Sequence, residues 1–312
     1  MSLRYGVFLA LACWLFVASA QEIVCPPPLA QPTAALLESA RSQASNHGFL
    51  WRVTKSGHAS YLYGTFHLGR LEWTFPGAAV QQALKASNSI ALEINVRDPA
   101  LVQQLQAGMA AGGIAPLEEN LQRRLQLQAL RSCIAFGTLQ SIRPELQLSA
   151  LTLAAARSAG LEAAYGTEAV LVGYAVQSNL PIESLETVSE QLNGFLAQND
   201  EELRSFVESG LQDLERGEAL KLLLRLSTVW AQSDFAALNR YEEWCNCLKT
   251  ASDRVAMRRL VDQRNPNLAT RFDMLHEAGR NVFAAVGALH MIGPGGLPAR
   301  LQRMGYRVQR IF

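Results

Sequence analysis

The chain has 312 residues, with 28 Lys plus Arg against 27 Asp plus Glu and 49% hydrophobic residues. Charge this evenly balanced, with no basic run interleaved with aromatics, argues against nucleic acid as a partner. It also gives no broad electrostatic attraction to a membrane surface. The length is ample for one large domain or two modest ones with a substantial core.

Residues 1–20 read as a secretory signal peptide. Arg4 supplies the positive n-region, Val7 to Ala18 is an unbroken apolar run of twelve, and Ala18-Ser19-Ala20 places small residues before a cleavage site near Ala20. That run is too short for a typical transmembrane helix, and no later segment reaches eighteen uncharged apolar residues. Cys13 sits in the apolar run, but Ala10 stands where a lipobox usually has Leu. The mature chain is therefore expected to be periplasmic or secreted, without a transmembrane anchor. Loss of Arg4 leaves 27 basic against 27 acidic residues.

Residues 21–46 form a Pro-rich lead-in, extended over "QEIVCPPPLAQPTA". Residues 49–67 alternate around Lys55-Ser56-Gly57, which predicts a β-hairpin turning at Ser56-Gly57. Pro76 opens a helix to about Ala86. The apolar run "SIALEINV" at 89–96 predicts a short strand carrying Glu93, with Asp98-Pro99 starting the next helix. Residues 99–160 and 187–280 have helical spacing. Between them lie a turn at Gly166, a helix, a strand at about 181–184 and another helix. The chain closes with a strand at 281–286, a helix from about Leu297 and a strand at 306–311. The expected class is α/β, with a mixed sheet built from N- and C-terminal segments around a large helical middle at 99–280, the whole forming one domain over 47–312.

Two stretches repeat. "YLYGTFHLG" at 61–69 places Gly64, His67 and Gly69 after an apolar strand, and "VFAAVGALHMIGPGG" at 282–296 places Gly287, His290 and Gly293 in the same spacing. Glycine makes up 22 of the 312 residues, so two of five histidines with Gly three positions earlier is not the expectation of chance. Gly64 and Gly287 can supply positive φ or close backbone approach. Taken singly, each histidine reads as a turn-capping residue; together they point to a shared site at equivalent strand ends, where ligands gather in open α/β sheets. His58, in the hairpin turn, and His276, on an amphipathic helix, read as surface residues.

Glu93 is costly to bury unless paired or coordinating, and Ala91 and Asn95 on its parity do not resemble a solvated face. Glu168 opens a helix, where the dipole alone favours an acid. Arg264-Asn265 carries little weight from spacing. Two histidines with one or two carboxylates suit a divalent metal, manganese, cobalt or zinc among them, which can activate water while an arginine steadies an oxyanion. No Gly-x-Ser-x-Gly, His-Glu-x-x-His or phosphate loop is present.

Cys25, Cys133, Cys245 and Cys247 remain after the signal. An exported chain keeps disulfides, and three pairings are possible. Two structural disulfides are expected, with a direct Cys245–Cys247 bridge the least favoured.

Six motifs in order resemble the TraB/GumN family, which is related to the Tiki metalloproteases: Tyr63-Gly64-Thr65-Phe66-His67, Leu92-Glu93-Ile94, Tyr165-Gly166-Thr167-Glu168, Leu185-Glu186-Thr187 with Gln191-Leu192, Arg264-Asn265, and Gly287-Ala288-Leu289-His290 running on through Gly293 and Gly296. The resemblance spans about 47–312. It implies an α/β fold with a helical middle and, in the Tiki branch, metal-dependent proteolysis. It makes His67 and His290 metal-site residues, Glu93 a ligand or general base, and Arg264 a site arginine, with Asn265 beside it. The expected function is an exported metal-dependent hydrolase, a peptidase acting on peptide or protein. The alternatives are a non-catalytic periplasmic metal-, haem- or peptide-binding protein and an accessory factor for polysaccharide export.

Overall fold

The computed structural model describes residues 25, 29–110 and 116–312. The expected signal segment, residues 1–20, lies outside the described residues. Among the described residues no helix is long and apolar enough to cross a membrane.

Six strands form one mixed sheet: β1 (Phe49–Lys55), β2 (His58–Thr65), β3 (Ser89–Leu92), β4 (Ile182–Ser184), β5 (Val282–Gly287) and β6 (Arg307–Arg310), in the order β4-β3-β5-β2-β1-β6. The hairpin β1–β2 turns at Ser56 (φ 53°) and Gly57 (φ 84°), the left-handed pair of a tight hairpin turn. β4, β3, β5 and β2 run parallel, while β1 pairs antiparallel with both β2 and β6. Five of the six strands come from the two ends of the sequence, as the pattern predicted, and the edge strand β4 comes from within the helical middle. The two Gly-x-x-His strands lie side by side, with Thr65 paired to Gly287.

Continuous apolar runs such as Val282–Val286 are buried on both faces, as a central parallel strand requires. Phe49, Leu50, Leu62, Ile90 and Phe283 form the centre of the main core, with Phe272 and Leu268 of the helix Asn265–Glu277 packed on it. A second core lies in the helical middle, where Leu121, Leu125, Leu151, Val207 and Leu211 bring together the helices Glu119–Arg131, Pro144–Ala155 and Asp200–Glu215.

Several expectations change. The lead-in contains a helix, Ala34–Ser42, whose first turn is capped by Thr33. β3 stops at Leu92, so Glu93 is the first residue beyond the strand rather than inside it. His276 is not a surface residue: it is fully buried, with Nδ1 2.8 Å from Ser60 Oγ, Nε2 3.1 Å from Lys55 O, and its ring stacked 3.8 Å from that of partly buried His58. Its helix presents that position to the β1–β2 hairpin, which the spacing could not reveal. Neither Gly64 nor Gly287 has positive φ; Gly64 serves close approach to Ala288 and Met291, whereas at Gly287 a side chain would meet only ordinary contacts.

The disulfides are Cys25–Cys133 and Cys245–Cys247. The first joins residues 108 apart and constrains the unfolded chain by roughly 4–5 kcal/mol in the chain-entropy account. The second is the bridge least favoured from spacing. Its Cα atoms are 5.1 Å apart, inside the usual range, with Asn246 between them at φ 50°.

Candidate functional site

The four parallel strands end on one edge of the sheet, and each delivers a polar residue there. In spatial order, β4 leads to Glu186, β3 to Glu93, β5 to Gly287 and His290, and β2 to His67. Arg264 and Asn265 enter from the start of the helix Asn265–Glu277, where Pro266 occupies the first turn. Glu168 enters from the first turn of the helix Thr167–Gln177.

Arg264 is the hub, with only 6% of its surface exposed. Its Nε donates to Glu186 Oε2 at 2.9 Å and its Nη2 donates to Glu186 Oε1, a two-pronged ion pair. Nη2 also donates to Glu93 Oε2 at 2.6 Å, and Nη1 donates to Leu260 O at 2.9 Å and faces His290 Nε2 at 3.4 Å. The fork's five N–H groups therefore each have an acceptor. Burial opposes its charge, but Glu186 and Glu93 hold its pKa above the usual arginine value.

Glu93 accepts from Arg264, from the Gly287 N–H at 2.9 Å and from Gln191 Nε2 at 3.4 Å. Burial alone would raise its pKa. The charges of His290, Arg264 and His67 and the Gly287 N–H reverse this and bring it to about 2. A Cβ at 287 would lie 3.5 Å from Glu93 Oε1, an ordinary contact, so the carboxylate's hold on this backbone rests on the Gly287 N–H. Glu186 is 2% exposed, and its burial outweighs Arg264 to raise its pKa.

His290 is 4% exposed. Its Nδ1 lies 2.7 Å from Asn265 Oδ1, while Asn265 Nδ2 donates to Gly295 O at 3.0 Å. That orientation of the amide makes Nδ1 the protonated nitrogen and leaves the Nε2 lone pair toward Arg264. Burial lowers its pKa to about 4, with Glu93 opposing and Arg264 and His67 assisting.

His67 stands on the open side, with 59% of its side chain exposed. Its Nδ1 lies 3.0 Å from Glu168 Oε1, which also accepts from Thr65 Oγ1. The Glu168 charge is the chief cause that raises His67 to about 9. Burial would raise Glu168, but His67 and Thr65 hold it below the usual carboxylate value. At neutral pH this is a charged pair with His67 Nε2 free of hydrogen bonds among the described residues.

The segments that carry this pair are stitched together. Gly69 and Glu162 exchange two backbone hydrogen bonds, and Thr167 N donates to Phe66 O. A Cβ at Gly69 would lie 1.9 Å from Tyr165 O, and one at Gly166 would lie 2.2 Å from His67 O. The glycines of "GTFHLG" and "YGTE" thus let two loops lie in contact. Leu68, 1% exposed, anchors the first loop against Ala156 and Leu161, a burial that contributes about 2 kcal/mol.

All eight positions singled out from sequence, Gly64, His67, Glu93, Glu168, Arg264, Asn265, Gly287 and His290, lie at or against this edge. Gly64 acts one step back, its carbonyl accepting from Trp230 Nε1 at 2.9 Å. Sequence reasoning gave no role to Glu186 or Gln191, although both lie in quoted motifs. Glu186 carried a signal like that of Glu93, an acid just beyond a strand next to a buried apolar residue, Leu185.

These side chains do not form a ready site for a divalent ion. Among the described residues no group of three or more His, Cys, Asp or Glu is placed to hold one. The guanidinium of Arg264 already binds Glu93 and faces the His290 lone pair, and so puts a fixed positive charge where an ion shared by those residues would sit.

The model of the TraB/PrgY/gumN family matches residues 49–310. A search of curated proteins finds no significant match. Nor does a search of solved structures.

Proposed function

The chain belongs to the TraB/PrgY/gumN family, and from that premise and the residues gathered at this sheet edge we propose an exported hydrolase acting on peptides. One observation carries the reading: four adjacent parallel strands each release a polar or ionisable residue at the same carboxyl edge, where open sheets bind ligands. Water adds to the peptide carbonyl, forming the C–O bond and giving its proton to bulk solvent. His67, charged and open to solvent, donates a proton to the leaving amine as the C–N bond breaks, with Glu168 orienting it through Nδ1. Arg264, fixed by Glu186 and Glu93, supplies buried positive charge at this edge for a developing oxyanion. Glu93, with a pKa near 2, is a weak proton acceptor and serves here as the counter-charge that aims Arg264. The cysteine pairs and the expected signal peptide support an oxidising, extracytoplasmic location. No step is assigned to a metal.

The test is cleavage of a mixed peptide library by protein purified from an oxidising compartment, alone and with manganese, cobalt or zinc, with bound metal counted on the same sample. Cleavage that falls about 10²-fold or more in His67→Ala is the expected result. Stoichiometric metal lost in His67→Ala/His290→Ala would restore the metal-dependent form of the reading. A second reading, a non-catalytic binding protein, is favoured by one feature: Arg264 already satisfies every N–H internally. Absence of cleavage under all conditions would select it.

A further inference from the structure

Away from the sheet edge that gathers these residues, the loop between the helices Tyr241–Trp244 and Ala251–Met257 holds a disulfide that the chemistry above does not use. Cys245 and Cys247 are joined across Asn246 alone. So small a ring removes little freedom from the unfolded chain, unlike the bridge between residues 108 apart. Its one intervening residue is Asn246, at the left-handed φ of 50° that asparagine adopts more readily than most residues. Structural stabilisation is therefore a poor account of this bond.

The two sulfurs differ. Cys245 is 5% exposed, whereas Cys247 is partly exposed and Asn246 is open to solvent. Each sulfur has a hydrogen-bond donor aimed at it. The Tyr241 hydroxyl meets Cys247 Sγ at 3.3 Å, and the Cys247 N–H donates to Cys245 Sγ at 3.1 Å. Burial raises Tyr241 to about 12, so the phenol remains a donor. Such donors stabilise thiolate, the form that leaves when a disulfide is opened. A shallow groove lined by Glu242, Glu243, Asn246, Lys249 and Arg254 opens beside the loop and offers charges of both signs to a docking chain.

We propose that Cys245–Cys247 is a thiol–disulfide exchange site that accepts two electrons from a protein dithiol docked in this groove. A thiolate of the dithiol attacks Cys247 Sγ. The intermolecular S–S bond forms, the Cys245–Cys247 bond breaks, and Cys245 leaves as thiolate on the Cys247 N–H. The second thiolate of the dithiol then attacks the partner's sulfur in that mixed disulfide, and Cys247 leaves as thiolate under the Tyr241 hydroxyl. The partner ends as a disulfide, the two cysteines end reduced, and the two protons lost by the partner's thiols complete them.

The probe is a glutathione redox buffer, which structural disulfides of exported proteins resist. The oxidised protein is equilibrated at graded ratios of reduced to oxidised glutathione, free thiols are trapped with iodoacetamide and located by mass spectrometry, and near-UV circular dichroism reports folding. The expected result is labelling of Cys245 and Cys247 with an unchanged dichroism signal, and a shift of roughly two- to tenfold toward the disulfide in Tyr241→Phe. Cys245→Ala is expected to take up glutathione at Cys247. A pair that stays oxidised throughout in the folded protein, or that is labelled only as the signal collapses, overturns the proposal. So does a Cys247→Ala variant that reacts as fast through Cys245.

Discussion

Glu93 Oε2 and Arg264 Nη2, 171 positions apart in the chain, meet at 2.6 Å at the carboxyl edge of the sheet. Each is nearly shut off from water, with side-chain exposures of 14% and 6%. The pair makes this edge an internally paired charge cluster instead of an open nest of ligands, and most of its expected behaviour follows from that.

Arg264→Met should be among the most damaging single changes. It leaves Glu186 buried without its counter-ion and Glu93 with only Gly287 and Gln191. Removing one partner of a buried ion pair costs about 3–5 kcal/mol. Urea unfolding measures it, and Glu186→Gln in the same chain should recover part of the loss, because the orphaned charge is then gone. A double variant no more stable than Arg264→Met would show that the loss does not come from the stranded Glu186 charge.

Stability should rise with pH between about 4 and 6.5 through His290. Its folded pKa lies below the unfolded value of 6.5, so in that window the unfolded chain binds the extra proton and acidification favours unfolding. The shift corresponds to about 3 kcal/mol gained across the window. His67 works in the opposite sense: its pKa, raised to about 9, gives a contribution present below 6.5 and lost as pH climbs through 9. Its exposure makes that contribution small. Glu93 adds stability above its unfolded pKa of 4.5 that disappears as pH falls toward 2. Chemical denaturation at a series of pH values in metal-free buffer should show the rise from 4 to 6.5, and His290→Gln should flatten it.

Asn265→Asp should raise the His290 pKa above its present value of about 4, because a carboxylate in place of the amide oxygen 2.7 Å from Nδ1 favours imidazolium. Nitrogen-15 NMR of the imidazole reads it directly. A resonance that still titrates near 4 would mean that Asn265 does not set the state of this ring.

Gly69→Ala should lower stability by about 3 kcal/mol, the upper end of overpacking costs. The added Cβ would fall 1.9 Å from a backbone oxygen, which cannot swing aside as a side chain does. The loop must separate from Tyr165-Gly166 and carry His67 away from Glu168. Thermal unfolding tests the first effect, and a drop in the His67 pKa from about 9 toward 6.5 tests the second.

Much of this was legible in the residues. Alternation and a Ser-Gly turn specify the hairpin, because side chains in a strand alternate faces and the left-handed pair needs a glycine. Continuous apolar runs between glycines specify central parallel strands. The repeated Gly-x-x-His spacing placed two histidines at strand ends, and Glu93 stood out as an acid in an apolar setting. All of these are local patterns, set within a few residues by backbone geometry and burial.

What the tertiary structure alone decided are the pairings between distant segments. That Arg264 is a buried hub depends on where a π-helical turn, Arg258–Asp262, hands over to the next helix. No periodicity encodes which carboxylates it will meet. The same holds for Glu186, whose acid could equally have faced solvent, for His276, buried by the hairpin that folds over it, and for Glu168, whose local reading as a helix-start acid conceals its bond to His67. The protonation states follow the same division: an imidazole's pKa is set by burial and by the charges a few ångströms away, and those exist only once the chain has brought four strand ends and two helix starts to one edge.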